Sequence, residues 1–312
     1  MTGRAELLED RGEAASSEEF FRSPVFLEAE GVTHTLRIES GADELLIPVI
    51  VRPVPGEGPA ADAVSPYGYP GAELAAAGPI APAAIDFAPT GLVAAFVRHR
   101  LGEPPLTGAR ERNVVQIADP ELPAKSRMSD RQQIRRNLRR GYELRLVPGP
   151  ETGAGERAGF LAAYEQTMRR AGAGERYFFG AAYFDRILRS ENAWLALATA
   201  PDGTAAAASI AVRSDGYLHY YLSGSTDSHL RDSPMKNVVA SLVELAAELR
   251  LPLNLGGGLT RGDRLEEFKR GFANREQGWR SSEIVCDEAA YARLSAGRDS
   301  GEFFPAYRAA EA

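Results

Sequence analysis

Hydrophobic and polar positions along the chain repeat with two different periods, and the changes of period mark out the elements. His34–Glu39 and Glu44–Val54 are rich in Ile, Leu and Val and are separated by Ser-Gly-Ala-Asp, which predicts an antiparallel hairpin. Pro and Gly break this pattern from Pro53 to Pro59. The stretch Asp62–Leu74, DAVSPYGYPGAEL, then reads as a loop with two tyrosines set between turn formers. Leu92–Leu101 is expected as a helix and Asn113–Ile117 as a short strand. Ser129–Arg140 follows as a helix stopped at Gly141, before a strand at Glu143–Val147. Pro148–Gly155 is dense in Pro and Gly and reads as a linker.

Beyond that linker the period is first helical. Glu156–Ala171 places Phe160, Tyr164, Thr167 and Met168 at helical spacing, and a second helix is expected near Ala181–Arg189. Three strands follow, Ala193–Ala200, Ala205–Arg213 and Tyr217–Leu222, joined by tight turns at Asp202-Gly203 and Asp215-Gly216. Ser233 is expected to cap, and Pro234 to open, a long helix to Arg250 that carries Val238, Leu242, Leu245 and Leu249 on one stripe. A strand at Leu253–Leu255 then enters Gly256-Gly257-Gly258, and a helix over Asp263–Gly271 precedes a last strand, Ser281–Asp287.

Length adds a domain count: 312 residues suit two lobes of roughly 150 residues. The expected division is a polar acidic leader over 1–20, a first lobe over 21–150 and a second over 151–312. No stretch approaches the roughly 20 apolar residues of a membrane-spanning helix, and the leader lacks the apolar core of a secretory signal, so the expected location is cytoplasmic. The single cysteine, Cys286, excludes an internal disulfide and reads as a buried strand thiol. His34, His99, His219 and His229 show no metal-ligand spacing, so no metal site is expected.

Net charge is −7, which argues against coating nucleic acid by bulk electrostatics. One segment runs against that balance. Lys125–Arg145 holds eight basic residues and two acidic ones, and on a helix Arg131, Arg135 and Arg139 fall at i, i+4 and i+8 beside a second row, Arg136 and Arg140. The row is either a solvated helix face or a phosphate-contacting ridge.

Four tracts in register carry a family likeness: SPYGYPG at Ser65–Gly71, YEQTMRRAGAGERYFF from Tyr164, LHYYLSGSTDSHLRDSPMKNVV from Leu218, and NLGGGLTRGDRLEEFKRGF at Asn254–Phe272. Over residues 60 to 285 the chain resembles the FemABX-like acyltransferases of the GNAT superfamily. The resemblance implies an α+β fold of two GNAT-like lobes, each a mixed, mostly antiparallel sheet flanked by helices. It also implies transfer of an aminoacyl group from charged tRNA onto a small amine-bearing acceptor, a peptidoglycan precursor or a peptide or nucleoside in antibiotic biosynthesis, with no bound cofactor. Two alternatives stay open: an acyl donor that is a CoA or carrier-protein thioester, and a catalytically silent GNAT-like binding protein.

Amine attack on an ester builds an oxyanion, which a fixed cation or N–H donor stabilises. Lys269 is the residue that the resemblance places there, with Phe268 packed beside it. Lys269 read without the resemblance is a solvated partner of Glu266 or Asp263. Gly256, Gly257 and Gly258 either expose N–H groups to an anion or carbonyl oxygen or simply turn the chain, and Asp263 is expected as a helix cap. Substrate contacts are expected from Tyr67, Tyr69, Tyr177, His219, Tyr221 and Asn254. On a strand His219 and Tyr221 share one face and Tyr220 takes the other. The tract STDSHLRDSPMKNVV lacks the glycines of a CoA-pyrophosphate turn, and Pro234 removes one donor N–H, which makes acyl-CoA the weaker donor.

Overall fold

The computed structural model describes residues 3–75, 78–298, 301 and 303–311, so Met1 and Thr2 of the expected leader lie outside the described residues. In chain order the elements begin β1 (Gly3–Leu8), α1 (Pro24–Glu30), β2 (His34–Ser40), β3 (Asp43–Pro53), β4 (Ala61–Val64), β5 (Glu73–Ala75), β6 (Ile85–Asp86), β7 (Leu92–Arg98) and β8 (Arg110–Ala118). They continue with α2 (Met128–Arg139), β9 (Glu143–Pro148), α3 (Ala154–Ala171), α4 (Ala181–Ile187), β10 (Ala193–Thr199), β11 (Ala205–Ser214), β12 (Tyr217–Ser225), α5 (Met235–Leu249), β13 (Leu253–Asn254), α6 (Arg264–Arg270), β14 (Arg275–Val285) and α7 (Glu288–Ser295). Two compact units divide them. The first holds 1–112 and 278–312, and the second holds 113–277.

This division differs from the boundary at 150 expected from the sequence. The Pro/Gly run is no linker: β9 pairs with β10 from Trp194↔Pro148 to Thr199↔Glu143, and Gly149–Glu151 is a 3-10 turn leading into α3. Nor are the first 20 residues a detached leader. β1 pairs antiparallel with β2 from Arg4↔Glu39 to Leu8↔Thr35, and Ala5 and Phe20 are fully buried.

In the first unit the strands run in the order β6-β1-β2-β3-β4-β7-β14, with β5 also on β3. Leu36, Ile38, Leu45, Ile47, Val49, Ala95, Val97 and Ile284 fill its core. Leu92–Arg98, expected as a helix, is instead a strand, parallel to β4 and antiparallel to β14. A short apolar run suits a buried strand or a helix equally by periodicity, and here pairing on both edges overrides the helix propensity of Ala94 and Ala95. Cys286 follows β14, half-buried, and burial pushes its thiol up to about 12, which keeps it protonated.

The second unit is a sheet in the order β8-β13-β12-β11-β10-β9, with the β10–β11–β12 meander antiparallel as expected. Helix α5 lays Val238, Val239, Leu242 and Leu245 on the face formed by Ala196, Ala198, Ala207, Ala211 and Leu218. Helix α3 covers the other face. Gly224, paired with Ala208 one position on from Ala207, sits so close to the α3 backbone at Ala163 and Tyr164 that any Cβ would clash. The start of α5 differs in detail from the expectation: Ser233 takes a left-handed conformation (φ 48°) and Pro234 is the N-cap, with no side-chain cap.

Candidate active site

The core of the site is the connection from β13 to α6. After two residues parallel to β12, Leu218↔Leu253 and His219↔Asn254, β13 gives way to Gly256-Gly257-Gly258 while β12 continues to Ser225. The turn is closed from the far side by the α6 cap. Asp263 Oδ2 accepts from the N–H groups of Leu259 (2.6 Å) and Thr260 (3.0 Å), and Oδ1 accepts from Glu266 N–H (2.8 Å), so the expected capping role is correct. Glu266, itself buried, accepts from Gly262 N–H and pairs with Arg270.

Lys269 points from α6 back into this turn. It is buried, and its Nζ donates to Gly257 O at 2.6 Å and lies 5.9 Å from the centroid of the Tyr220 ring. It is therefore not the solvated partner of Glu266 or Asp263. Burial lowers its pKa to about 8, against the opposing pull of the Asp263 charge. At neutral pH it remains an ammonium, and the Gly257 carbonyl takes one of its three N–H groups. Close approach explains the glycines: a Cβ on Gly256 (φ +73°) would stand 3.1 Å from Lys269 Nζ, and one on Gly257 would stand 2.5 Å from the Asn113 amide nitrogen. Asn113 Nδ2 donates to Gly258 O at 2.8 Å and fixes the last peptide of the turn. Phe268 packs on Phe272, ring centroids 5.6 Å apart, as a support for α6.

Strand β12 supplies the facing wall. A bulge between the pairs Ile210↔Leu222 and Ala211↔Tyr220 leaves Tyr221 as the extra residue. Tyr220 stays on the α5 face and hydrogen-bonds Ser223, and burial raises its hydroxyl to about 12. The residue facing Lys269 is thus Tyr220, which was not expected as a contact. The alternation of faces was visible in the sequence, but which face looks onto the lysine was not. Tyr221 instead meets α4 through a 2.7 Å contact between its hydroxyl and that of Tyr183.

His219 and Asn254 form a buried pair rather than an open substrate surface. His219 Nε2 donates to Ser214 O at 3.2 Å, so Nδ1 is the acceptor for Asn254 Nδ2 at 3.0 Å. Burial lowers the imidazole pKa to about 4 and keeps it neutral. With both ring nitrogens engaged, His219 has no atom left for a substrate, which corrects the expectation for it. Tyr177, between α3 and α4, accepts at its carbonyl from Tyr164 Oη and lies under the Arg176 guanidinium. Tyr67 and Tyr69 belong to the first unit. There the Arg98 guanidinium lies 5.6 Å from the Tyr67 ring and 5.8 Å from that of Trp279, and Tyr69 packs edge-on against Trp279 and Phe21.

The basic helix is α2. Its one acid, Asp130, is buried against Lys236 at 2.7 Å, while Arg131, Arg135, Arg136, Arg139 and Arg140 are exposed. Arg131 donates to Ser126 O, Arg136 to Gln133, and Arg140 pairs with Asp232. Four of the five arginines lie in α2 and Arg140 is its C-cap, and they differ in what holds them. Among the described residues no three or more metal-ligating side chains cluster, and no helix is long and apolar enough to cross a membrane.

A family model described as an acetyltransferase (GNAT) domain matches residues 124–270, which spans α2 to Lys269. FemX is similar in structure, with a TM-score of 0.61 at 11% identity over 91% of this chain and 96% of its own. The chain is similar to GNAT acetyltransferases over residues 124–270 and has a FemX-like fold. The C-terminal domain of an Agrobacterium fabrum protein assigned as a lysylphosphatidylglycerol synthetase matches at TM-score 0.54 and 16% identity, over 85% of this chain and 87% of that domain. L-PGS from Bacillus licheniformis matches at TM-score 0.54 and 13% identity, over 83% and 86%. No curated protein matches this chain by sequence. Its fold is α+β, with a mixed, mostly antiparallel sheet flanked by helices in each GNAT-like lobe.

Proposed function

We propose that this protein is an acyltransferase that moves an aminoacyl group from charged tRNA to a small amine acceptor, with Lys269 as the group that meets the developing oxyanion. The observation that carries the reading is the desolvated ammonium of Lys269 held at a glycine turn in the GNAT domain. The amine nitrogen attacks the ester carbon, a C–N bond forms, and the carbonyl oxygen gains the charge that Lys269 and turn N–H groups stabilise. The C–O bond to the ribose then breaks, and the proton lost by the amine ends on the ribose oxygen. A low-dielectric setting makes one such cation worth about 3 kcal/mol of barrier.

The tRNA donor is supported by the exposed arginine row of α2, whose only acid is turned inward. It is supported also by the α5 N-terminus: Pro234 has no N–H, and those of Lys236 and Asn237 donate to the Ser233 and Pro234 carbonyls. Those groups are engaged where a CoA pyrophosphate would need them. The name of one neighbour, a lysylphosphatidylglycerol synthetase, suits aminoacyl chemistry. The family description, acetyltransferase, favours a second reading in which the donor is an acyl-CoA. A radiolabel transfer assay separates the two. Label from charged tRNA should reach an amine acceptor and be abolished by RNase; RNase-insensitive transfer from acyl-CoA would replace the first reading with the second.

A further inference from the structure

The glycine turn that meets Lys269 is gripped from behind. Asn254 Oδ1 accepts from Gly256 N–H at 2.8 Å, Asn254 Nδ2 donates to His219 Nδ1 at 3.0 Å, and His219 Nε2 donates to Ser214 O at 3.2 Å. The polarity of each bond follows from the one before it, so the carbonyl of Ser214 dictates the imidazole tautomer. The tautomer dictates the orientation of the Asn254 amide, and the amide dictates the conformation of Gly256. Both side chains are buried, Asn254 at 1% and His219 at 2% exposure. By alternation along β12, His219 lies on the face opposite Tyr220, so the chain of bonds reaches the turn from the side away from the lysine. One residue further on, Gly257 O receives Lys269.

We infer that His219 and Asn254 are positioning residues, which lock the Gly256–Gly257 turn so that its carbonyl holds the Lys269 ammonium at a fixed point beside Tyr220. The inference rests on the reading of Lys269 as the oxyanion-stabilising group. Neither side chain is a catalytic residue, since neither reaches the reacting atoms, and His219 works as a neutral hydrogen-bond converter and not as a base. Two other groups bear on Lys269 directly, the Asp263 carboxylate and the Tyr220 ring, and neither belongs to the relay. A loosened turn admits water to the ammonium and returns it toward ordinary lysine behaviour.

The chain has three lysines, Lys125, Lys236 and Lys269, so the side-chain nitrogen of Lys269 can be followed by NMR of 15N-lysine-labelled protein and assigned by its loss in Lys269→Met. In the wild type it should titrate with a midpoint near 8. Asn254→Ala should move that midpoint up by roughly one unit and lower kcat about tenfold with KM little changed. His219→Gln should restore the wild-type midpoint and rate, because its amide oxygen can accept from Asn254 and its amide nitrogen can donate to Ser214 O. Asn254→Asp covers the case in which the alanine variant fails to fold. It keeps an acceptor for Gly256 N–H but faces His219 Nδ1 with an oxygen, so a proton should appear on Nδ1 in the imidazole 15N spectrum. An unmoved Lys269 midpoint in Asn254→Ala overturns the inference, and a raised KM alone would make Asn254 a substrate contact. Full turnover in Lys269→Met would instead remove the oxyanion role while leaving the titrations to decide the positioning.

Discussion

Two groups of positive charge lie in the second unit and are held in opposite ways. Lys269 is one ammonium, buried, with a main-chain carbonyl on one side, an aromatic ring on another and its pKa lowered to about 8. The α2 row is five guanidiniums in water, of which Arg131, Arg136 and Arg140 lean on neighbours. Charge in a low-dielectric pocket acts strongly on whatever develops next to it and hardly responds to salt. Exposed charge acts weakly per residue and through a counterion atmosphere. The contrast teaches that a basic residue's chemical use follows its solvation more than its count. A lone lysine in an apolar wall is a candidate for chemistry, and a row of arginines is a candidate for holding a polyanion.

The contrast breaks first at Lys269→Met, which should lower turnover by two orders of magnitude, about 3 kcal/mol of transition-state stabilisation, with the fold intact by circular dichroism. Turnover equal to wild type would reduce the buried lysine to packing. Stability offers a second test with a definite sign. The folded pKa of Lys269 lies below its ordinary value of 10.5, so the unfolded chain binds more protons between about 8 and 10.5. Wild-type stability relative to Lys269→Met should therefore rise across that window, by up to about 3 kcal/mol. A flat difference in denaturant midpoints from pH 7 to 10.5 would mean that the ammonium is solvated.

A smaller effect is expected at the cap. Asp263→Ala should cost about 1 kcal/mol of stability. It should also move the alkaline fall of kcat to lower pH, because the carboxylate is what raises the Lys269 pKa against burial. A limb that stays in place would uncouple cap and lysine. The smallest effect is expected on α2. Arg135→Ala with Arg139→Ala should weaken binding of a charged tRNA or another phosphate-rich ligand several-fold at low salt and reduce the log–log salt slope by about 1 to 2. An unchanged slope would make the row ordinary solvated surface.

Much of this was legible in the sequence because it rested on local chemistry. Asp263 before a helical period, the glycine run after a short strand and the turns at Asp202-Gly203 and Asp215-Gly216 all declare themselves within a few residues, and the α6 cap and the meander form as expected. What was not legible depends on partners far away in the chain. The strand at Leu92–Arg98 is decided by β4 and β14, and the leader becomes β1 because β2 offers an edge. The place of Tyr221 turns on one bulge, which comes from pairing with β11 and leaves no mark in the tract LHYYLSGS. Asn113 reaches Gly258 across 145 positions, and no motif links them.

The division of the chain sets an order of assembly. The second unit is one continuous segment, 113–277, whereas the first begins at the N-terminus and is finished by residues 278–312. A ribosome therefore releases all of the second unit before it delivers 281–285 of β14, the part that pairs with β7 and contributes Ile284 to the first unit's core. The half that is started first is completed last, and its partly built sheet must wait with the β7 edge uncovered. Nonsense or proteolytic loss of the last 35 residues would thus damage the N-terminal unit and spare the segment that carries Lys269.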